Sequence, residues 1–169
     1  MRRWLALAGL VALAGCSGAS APPSRSSGES DLEAAAIAAG VIPDPRSADI
    51  SGLYARETDR LCIVPDRLDF RVGVVVDYGD RQQCSGSGHV TRAGEGLHLV
   101  FDDAPGCSFD ARFDGDRIVL PGRLPGACAK LCSGRASLAG LDVERLSESP
   151  TEAATLRDPR GRLLCRPGG

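Results

Sequence analysis

Two histidines are the side chains best suited to acid–base chemistry or metal binding in this sequence. They are His89 and His98, the only histidines of the chain. A hairpin turn at Gly94-Glu95 would place them diagonally on one face of two neighbouring strands. An imidazole can transfer a proton near neutral pH or ligate a metal ion. Because no third ligand is recognisable beside them, we expect no metal and no cofactor, and catalysis by this pair is kept as an alternative.

The other polar motifs match no catalytic or cation-binding pattern. Asp110, Asp114 and Asp116 lie around Gly115 without the spacing of a calcium loop, so we assign them to a hairpin turn. Residues 85–88, Ser-Gly-Ser-Gly, do not join a strand to a helix as a phosphate-binding loop does. No serine lies in a nucleophile elbow. The sequence therefore predicts a protein that is not an enzyme.

An apolar run at the N-terminus ends at Cys16. Arg2 and Arg3 precede the run, which has about eleven residues where a membrane-spanning helix needs about 20. This layout is that of a secretory signal. The end of the run, Leu13-Ala14-Gly15-Cys16, closely resembles the lipobox of bacterial lipoproteins. In that family the peptide before the cysteine is removed and the cysteine is acylated, for example with palmitate, so the resemblance implies that Cys16 is the lipidation site.

The same resemblance implies a location in the cell envelope. Two or three acyl chains anchor a protein firmly, since each buried methylene contributes about 0.8 kcal/mol. We expect a membrane-anchored lipoprotein on the periplasmic side. Ser17 and Gly18 lack the aspartate that favours inner-membrane retention in enterobacterial lipoproteins, which indicates the outer membrane.

Charge excludes one class of partner. The chain of 169 residues has a net charge of −2, and loss of Arg2 and Arg3 with the signal would leave 18 of its 20 basic side chains against 22 acidic ones. Nucleic acids and anionic lipid surfaces require a clustered basic face. We therefore expect no nucleic-acid partner, and contact with the membrane through the N-terminal lipid rather than through the folded body.

Six further cysteines are expected to form three disulfides, because an even number in an exported chain is typical of a disulfide framework. They are Cys62, Cys84, Cys107, Cys128, Cys132 and Cys165. The absence of a C-x-x-C pair argues against zinc. We predict that Cys84 pairs with Cys107. Of the other four, Cys128 and Cys132 are each expected to bond to a different one of Cys62 and Cys165.

Alternation of apolar and polar residues with period two predicts antiparallel strands from residue 50 onward. One predicted inner face consists of Phe70, Val72, Val74, Val76 and Tyr78. Three successive hairpins turn at Gly94-Glu95, at residues 104–106 and at Gly115-Asp116. The predicted cross-strand pairs are Arg92 with Leu97, Phe101 with Phe109, Leu97 with Phe113, and Phe113 with Ile118. A last strand is expected to bulge at Ala139-Gly140.

Two glycines are expected on the inner face of the sheet. Gly86 and Gly88 should lie opposite Val76 and Val74. There they either permit a sharp bend of the sheet or leave room for a ligand, and the bend is the favoured interpretation. About eight strands with one apolar face should close on themselves. We predict an all-β fold, an antiparallel up-and-down barrel of about eight strands with disulfides and one short helix, which contains Cys128 and Cys132.

The predicted organisation divides the chain into five parts. They are a signal peptide (1–15), a lipidated disordered tether (16–30), a short helix and linker (31–47), the barrel domain (48–147) and a C-terminal tail stapled by a disulfide (148–169).

Two families of periplasmic inhibitors have a similar outline. The chain loosely resembles lipid-anchored lysozyme inhibitors, whose inhibitory strand starts with Ser-Gly as Ser85-Gly86 does here, although Ser87, Gly88 and His89 replace the basic and aromatic residues that follow in that family. It is also similar to inhibitors of secreted metalloproteases in Gly52-Leu53-Tyr54 and in the spacing of Cys62 and Cys84. That family pairs its two cysteines, whereas the register predicted here separates them.

These observations favour a non-catalytic binding or inhibitor module that recognises an envelope protein or polymer. Its expected binding face is the outward side of the central strands, with Ser85, Ser87, His89, Thr91, His98 and Arg112. The alternatives are a structural envelope lipoprotein without a discrete ligand and an enzyme that uses His89 and His98.

Overall fold

A computed structural model describes residues 27–166, with side chains from residue 32 onward. The predicted signal, Cys16 and most of the predicted tether lie outside the described residues. Within them, no helix is long and apolar enough to cross a bilayer.

Eight strands form a closed barrel in which each strand pairs antiparallel with the next and the last pairs with the first. The strands are β1 (Gly52–Arg56), β2 (Asp59–Asp66), β3 (Asp69–Asp77), β4 (Gln83–Ala93), β5 (Gly96–Phe101), β6 (Ser108–Phe113), β7 (Arg117–Val119) and β8 (Asp142–Ser147). The helices are α1 (Ser27–Ala38), a 3-10 helix that we name the mouth helix (Gly126–Leu131), and α2 (Pro150–Ala153). The prediction of an eight-stranded up-and-down barrel is confirmed.

The alternating residues produce the core as expected, with one exception at the end of β3. Val72, Val74 and Val76 are fully buried and Phe70 packs against them. Tyr78, however, is 58 % exposed. It was predicted to face inward, but β3 ends at Asp77 and Tyr78 lies in the following turn.

The register of two hairpins is confirmed and that of one is shifted. Arg92 lies opposite Leu97, and Phe113 lies opposite Ile118. The predicted pairing of Phe101 with Phe109 is wrong, because six residues, 102–107, lie between β5 and β6, and the Phe101 N–H donates to the Cys107 carbonyl to close this longer loop. The observed pairs are therefore Leu99 with Phe109 and Leu97 with Ala111. The shift is two residues, which leaves the same side chains on the inner face.

Two details of other strands also differ from prediction. Gly86 pairs with Val74 and Gly88 pairs with Val72, again two residues from the expected register. Ala139-Gly140 is not a bulge within a strand. Gly140 has a left-handed φ of +73° in a turn, and β8 begins only at Asp142.

All six cysteines beyond Cys16 form disulfides, but the predicted pairings are wrong. The bonds join Cys62 to Cys165, Cys84 to Cys132, and Cys107 to Cys128. The mouth helix accounts for two of them, because Cys132, directly after it, reaches Cys84 at the start of β4, and Cys128 within it reaches Cys107 just before β6. Cys62 points out of the barrel into a second apolar cluster with Val64, Ala153 and Leu164, where only the C-terminal segment reaches it.

The two ends of the barrel are closed by different segments. At the linker end, where β1 begins, Arg92 donates to the carbonyls of Pro45 and Ala48, and Arg145 donates to those of Asp49 and Ser51. Residues 45–51 are thereby held across this end. The opposite end, which we name the mouth end, carries the mouth helix and its two disulfides.

Candidate functional site: a cleft at the barrel mouth

The two inner-face glycines bring segments of the chain close together. A Cβ at Gly86 would lie 2.8 Å from Leu131 Cδ2 and 3.1 Å from Phe101 Cδ1, so a side chain of the mouth helix occupies the space that Gly86 leaves. A Cβ at Gly88 would overlap the Val100 carbonyl oxygen. These positions therefore serve a filled core and a close backbone approach, and neither leaves room for a ligand.

A polar cleft of about 600 Å³ lies outside the barrel at the mouth end. Gln83 and Ser85 of β4 line it, with residues 130–133 at the end of the mouth helix on one side. Residues 158–160 and Arg162 of the C-terminal segment lie on the other side. The Ser133 hydroxyl donates to the Arg81 carbonyl at 2.7 Å, which fastens the first side to the turn before β4.

The second side of the cleft is a C-terminal hairpin, residues 157–163, whose ends pair through Arg157 and Leu163. The buried Asp158 carboxylate accepts the backbone N–H groups of Arg160 and Arg162, each at 2.9 Å, and so shapes the turn. The Cys62–Cys165 disulfide holds the hairpin's exit against the barrel wall. Local hydrogen bonding and one distant covalent link therefore position this segment.

Arg162 connects the hairpin to the barrel. Its guanidinium donates to both oxygens of Asp103, at 2.8 and 3.2 Å, and to Asp158 at 3.2 Å. The hydrogen bond from Arg162 holds the pKa of Asp103 below its usual range. Partial burial alone would raise this pKa, and the hydrogen bonds from the Ser87 N–H and hydroxyl help to lower it. Burial alone would raise the pKa of Asp158, but hydrogen bonds from Arg162 and Arg160 outweigh it and lower that pKa. The charged groups of Arg162, Asp103 and Asp158 are therefore paired with one another.

Two other cations of the cleft have no such partner. Within residues 27–166, neither the Lys130 ammonium nor the Arg160 guanidinium makes a hydrogen bond or ion pair with another side chain, and both residues are exposed. The Ser85 hydroxyl and the side-chain amide of Gln83 also make no hydrogen bond in this part of the chain. The cleft therefore presents two available positive charges beside two available polar groups.

The predicted face residues on β4 have different surroundings. Ser85 lines the cleft. Ser87 is buried, and its N–H and hydroxyl both donate to Asp103, at 2.8 and 3.0 Å. His89 lies with its Nε2 2.8 Å from Arg71 Nη1 and 3.6 Å from the Asp102 carboxylate.

The remaining predicted residues lie on the open outer face. Thr91 is opposite His98, which makes His89 and His98 diagonal neighbours as expected. They do not share a partner, because His98 Nδ1 is 2.7 Å from Asp110 Oδ1. Asp110 was assigned to the turn at Gly115, which is wrong, since it lies within β6 and faces His98.

Arg112 completes the outer face and is bound to its own neighbour. Its Nη2 donates to the Asp114 carboxylate at 3.0 Å. The structure thus brings Ser85 into the cleft and leaves Thr91, His98 and Arg112 outside it. No group of three or more histidine, cysteine or acidic side chains arranged to hold a metal occurs among the described residues.

Sequence reasoning missed Lys130, Arg160 and Gln83. Lys130 carries one usable signal, because it is the only lysine of the chain and stands between Cys128 and Cys132. Arg160 carries none, since its place depends on a disulfide between residues 103 positions apart.

Fold and site define a closed eight-stranded antiparallel barrel with three disulfides and a polar cleft beside its mouth helix. The chain matches no family model, and neither curated proteins nor solved structures include a significant match to it.

Proposed function

We propose that the protein is a lipid-anchored, non-catalytic binding module of the cell envelope that captures a partner at the mouth cleft. The observation that carries this proposal is a cleft of about 600 Å³ with two cations that have no partner within the described part of the chain, at the end of the barrel opposite the one where the chain enters. Pockets of this size are typical of binding sites.

The position of the linker supports an orientation for such a module. Arg92 and Arg145 hold residues 45–51 across the linker end. An anchor at Cys16, on the periplasmic side of the outer membrane, would attach this end to the bilayer. The tether would then join the barrel at the end opposite the cleft, which leaves the cleft accessible to partners in the periplasm.

The charges of the cleft favour binding over catalysis. Asp103 and Asp158 are its carboxylates, and hydrogen bonds hold both of their pKa values below the usual range. A general base works best when its pKa lies near the working pH. These two groups are therefore poorly suited to proton transfer and well suited to fixing Arg162.

Co-purification with matched variants tests the proposal. Ser85 and Thr91 both point outward from β4, but only Ser85 lines the cleft. We expect the full-length lipoprotein, extracted in mild detergent, to retain one stoichiometric partner in the wild type and in Thr91→Trp, and to lose it in Ser85→Trp. Retention by Ser85→Trp would place the binding surface elsewhere, and absence of any partner would favour a structural envelope lipoprotein.

A further inference from the structure

We propose that the mouth cleft binds a carboxylate of an acidic protein segment between Lys130 and Arg160. This inference rests on the proposed function and names the chemistry of the partner. It assigns to these two residues a binding role that neither their sequence context nor the overall acidic charge of the chain indicates.

The charge balance of the cleft sets the charge of its ligand. Its lining contains three cations, Lys130, Arg160 and Arg162, against two anions, Asp103 and Asp158. Arg162 is bound to both anions and is not available. The lining therefore has a net charge of +1, and Lys130 and Arg160 are the two cations of the cleft without a partner within residues 27–166.

A single negative charge complements this excess. A carboxylate is a monoanion that accepts several hydrogen bonds, and bonds from lysine and arginine to it are shorter and stronger than neutral ones. A dianionic phosphate would bring the net charge of the lining and the ligand to −1, and the carboxylates of Asp103 and Asp158 would repel it. The cleft thus fits a carboxylate better than a phosphate.

The neutral groups favour a peptide over a sugar acid. The Gln83 amide and the Ser85 hydroxyl can both donate and accept, as a peptide backbone requires. Sugar rings are commonly held by stacking on aromatic side chains, and none of the described residues that line the cleft is aromatic. We therefore assign the carboxylate to an aspartate or glutamate of a protein partner.

Titration with a defined peptide tests this assignment. The probe is a fluorescein-labelled heptapeptide with alternating Glu and Gly, and its control has Gln at each Glu position. We expect the detergent-solubilised full-length protein to bind the Glu peptide at least about tenfold more tightly than the Gln peptide, which corresponds to about 1.4 kcal/mol. This preference should weaken as salt is raised, because the site is open to solvent.

Single variants locate the binding. Lys130→Gln and Arg160→Gln should each weaken binding of the Glu peptide about tenfold. Arg123→Gln makes the same charge change at an exposed arginine in a separate hollow beside the mouth helix, and should leave binding unchanged.

Three results would overturn the inference. They are equal affinity for the Glu and Gln peptides, no effect of Lys130→Gln and Arg160→Gln beyond that of Arg123→Gln, and tighter binding of inorganic phosphate or of an oligogalacturonate than of the Glu peptide. If the Ser85→Trp variant still loses its partner while one of these results is obtained, the inference fails and the proposed function stands. If Ser85→Trp keeps its partner, the proposed function itself fails.

Discussion

Arg162 illustrates how one exposed side chain can determine the shape of a surface site. It binds Asp103, in the loop after β5, and Asp158, in the C-terminal hairpin, at the same time. Because Asp103 also accepts from Ser87 of β4, the hairpin, loop and barrel wall form one hydrogen-bonded network. The network fixes the hairpin, which forms one side of the cleft, to the barrel wall.

This network predicts a loss of stability in acid. The pKa values of Asp103 and Asp158 are lowered from a usual 3.8, so their stabilisation is complete above that pH and is lost as pH falls through the lower folded values. We expect the free energy of unfolding, measured with urea, to fall more steeply below about pH 4 in the wild type than in Arg162→Gln. Arg123→Gln is the matched control and should follow the wild type. Parallel curves for all three proteins would contradict this account.

Two glycines of β4 predict a contrast in stability. In Gly86→Ala the new methyl meets the end of the Leu131 side chain, which can shift, and the expected cost is about 1 kcal/mol. In Gly88→Ala the new methyl meets the backbone of Val100, which cannot shift, and the expected cost in free energy of unfolding is about 3 kcal/mol or more. Urea unfolding of the two variants measures the difference, and equal costs would show that the close approach at Gly88 is not a constraint.

The mouth helix is the element that connects the disulfides to the site. Its six residues are too few for a stable helix in isolation. Cys128 bonds to Cys107, and Cys132, directly after the helix, bonds to Cys84. These bonds hold Leu131 over the barrel interior and leave Lys130 exposed on the cleft side.

The disulfides therefore predict both a chemical map and a loss of stability on removal. Peptide mapping should find three bonds, Cys62 to Cys165, Cys84 to Cys132 and Cys107 to Cys128, and no free thiol among these six. The paired variant Cys107→Ser/Cys128→Ser opens a loop with a sequence separation of 21 and should lower the free energy of unfolding by about 3 kcal/mol. A bond between Cys84 and Cys107, or melting unchanged by reductant, would contradict the structure.

The period-two alternation of apolar and polar residues predicted the strands well, because the residues of each strand alone determine which of its faces is apolar. Leu97, Leu99 and Phe113 are buried as the alternation requires, and the two-residue error at Phe109 preserved that face. The disulfides could not be predicted in this way. The alternation shows that Cys84 and Cys107 both face inward, but it does not reveal that the mouth helix lies between them. Ser85 was placed correctly as outward facing, but its cleft depends on residues more than 40 positions away.

At the scale of the whole molecule, the proposed attachment and the proposed binding site lie at opposite ends of the barrel. Residues 45–51 cover one end, and the mouth helix covers the other. Ile50 is fully buried at the linker end and its carbonyl accepts the Tyr54 hydroxyl at 2.8 Å, so the chain enters the barrel at a fixed place. A tether on this end leaves the cleft free.

The proposed anchor predicts the outcome of one substitution. Cys16→Ser should abolish incorporation of radiolabelled palmitate and release the protein from the membrane fraction or leave it as an unprocessed precursor, because the proposed attachment is through the acylated thiol of Cys16. Thr91→Trp, which alters the outer face only, should be acylated normally. Maturation of the wild type that is insensitive to globomycin would contradict the lipoprotein assignment.

Photo-cross-linking in intact cells tests the central claim, that the mouth cleft is the binding surface. A photoreactive amino acid is placed at Gln83, which lines the cleft, or at Thr91, which lies on the same strand outside it. We predict one discrete cross-linked species from position 83 and none from position 91. Cross-linking from position 91 alone, or from neither position, would contradict the account.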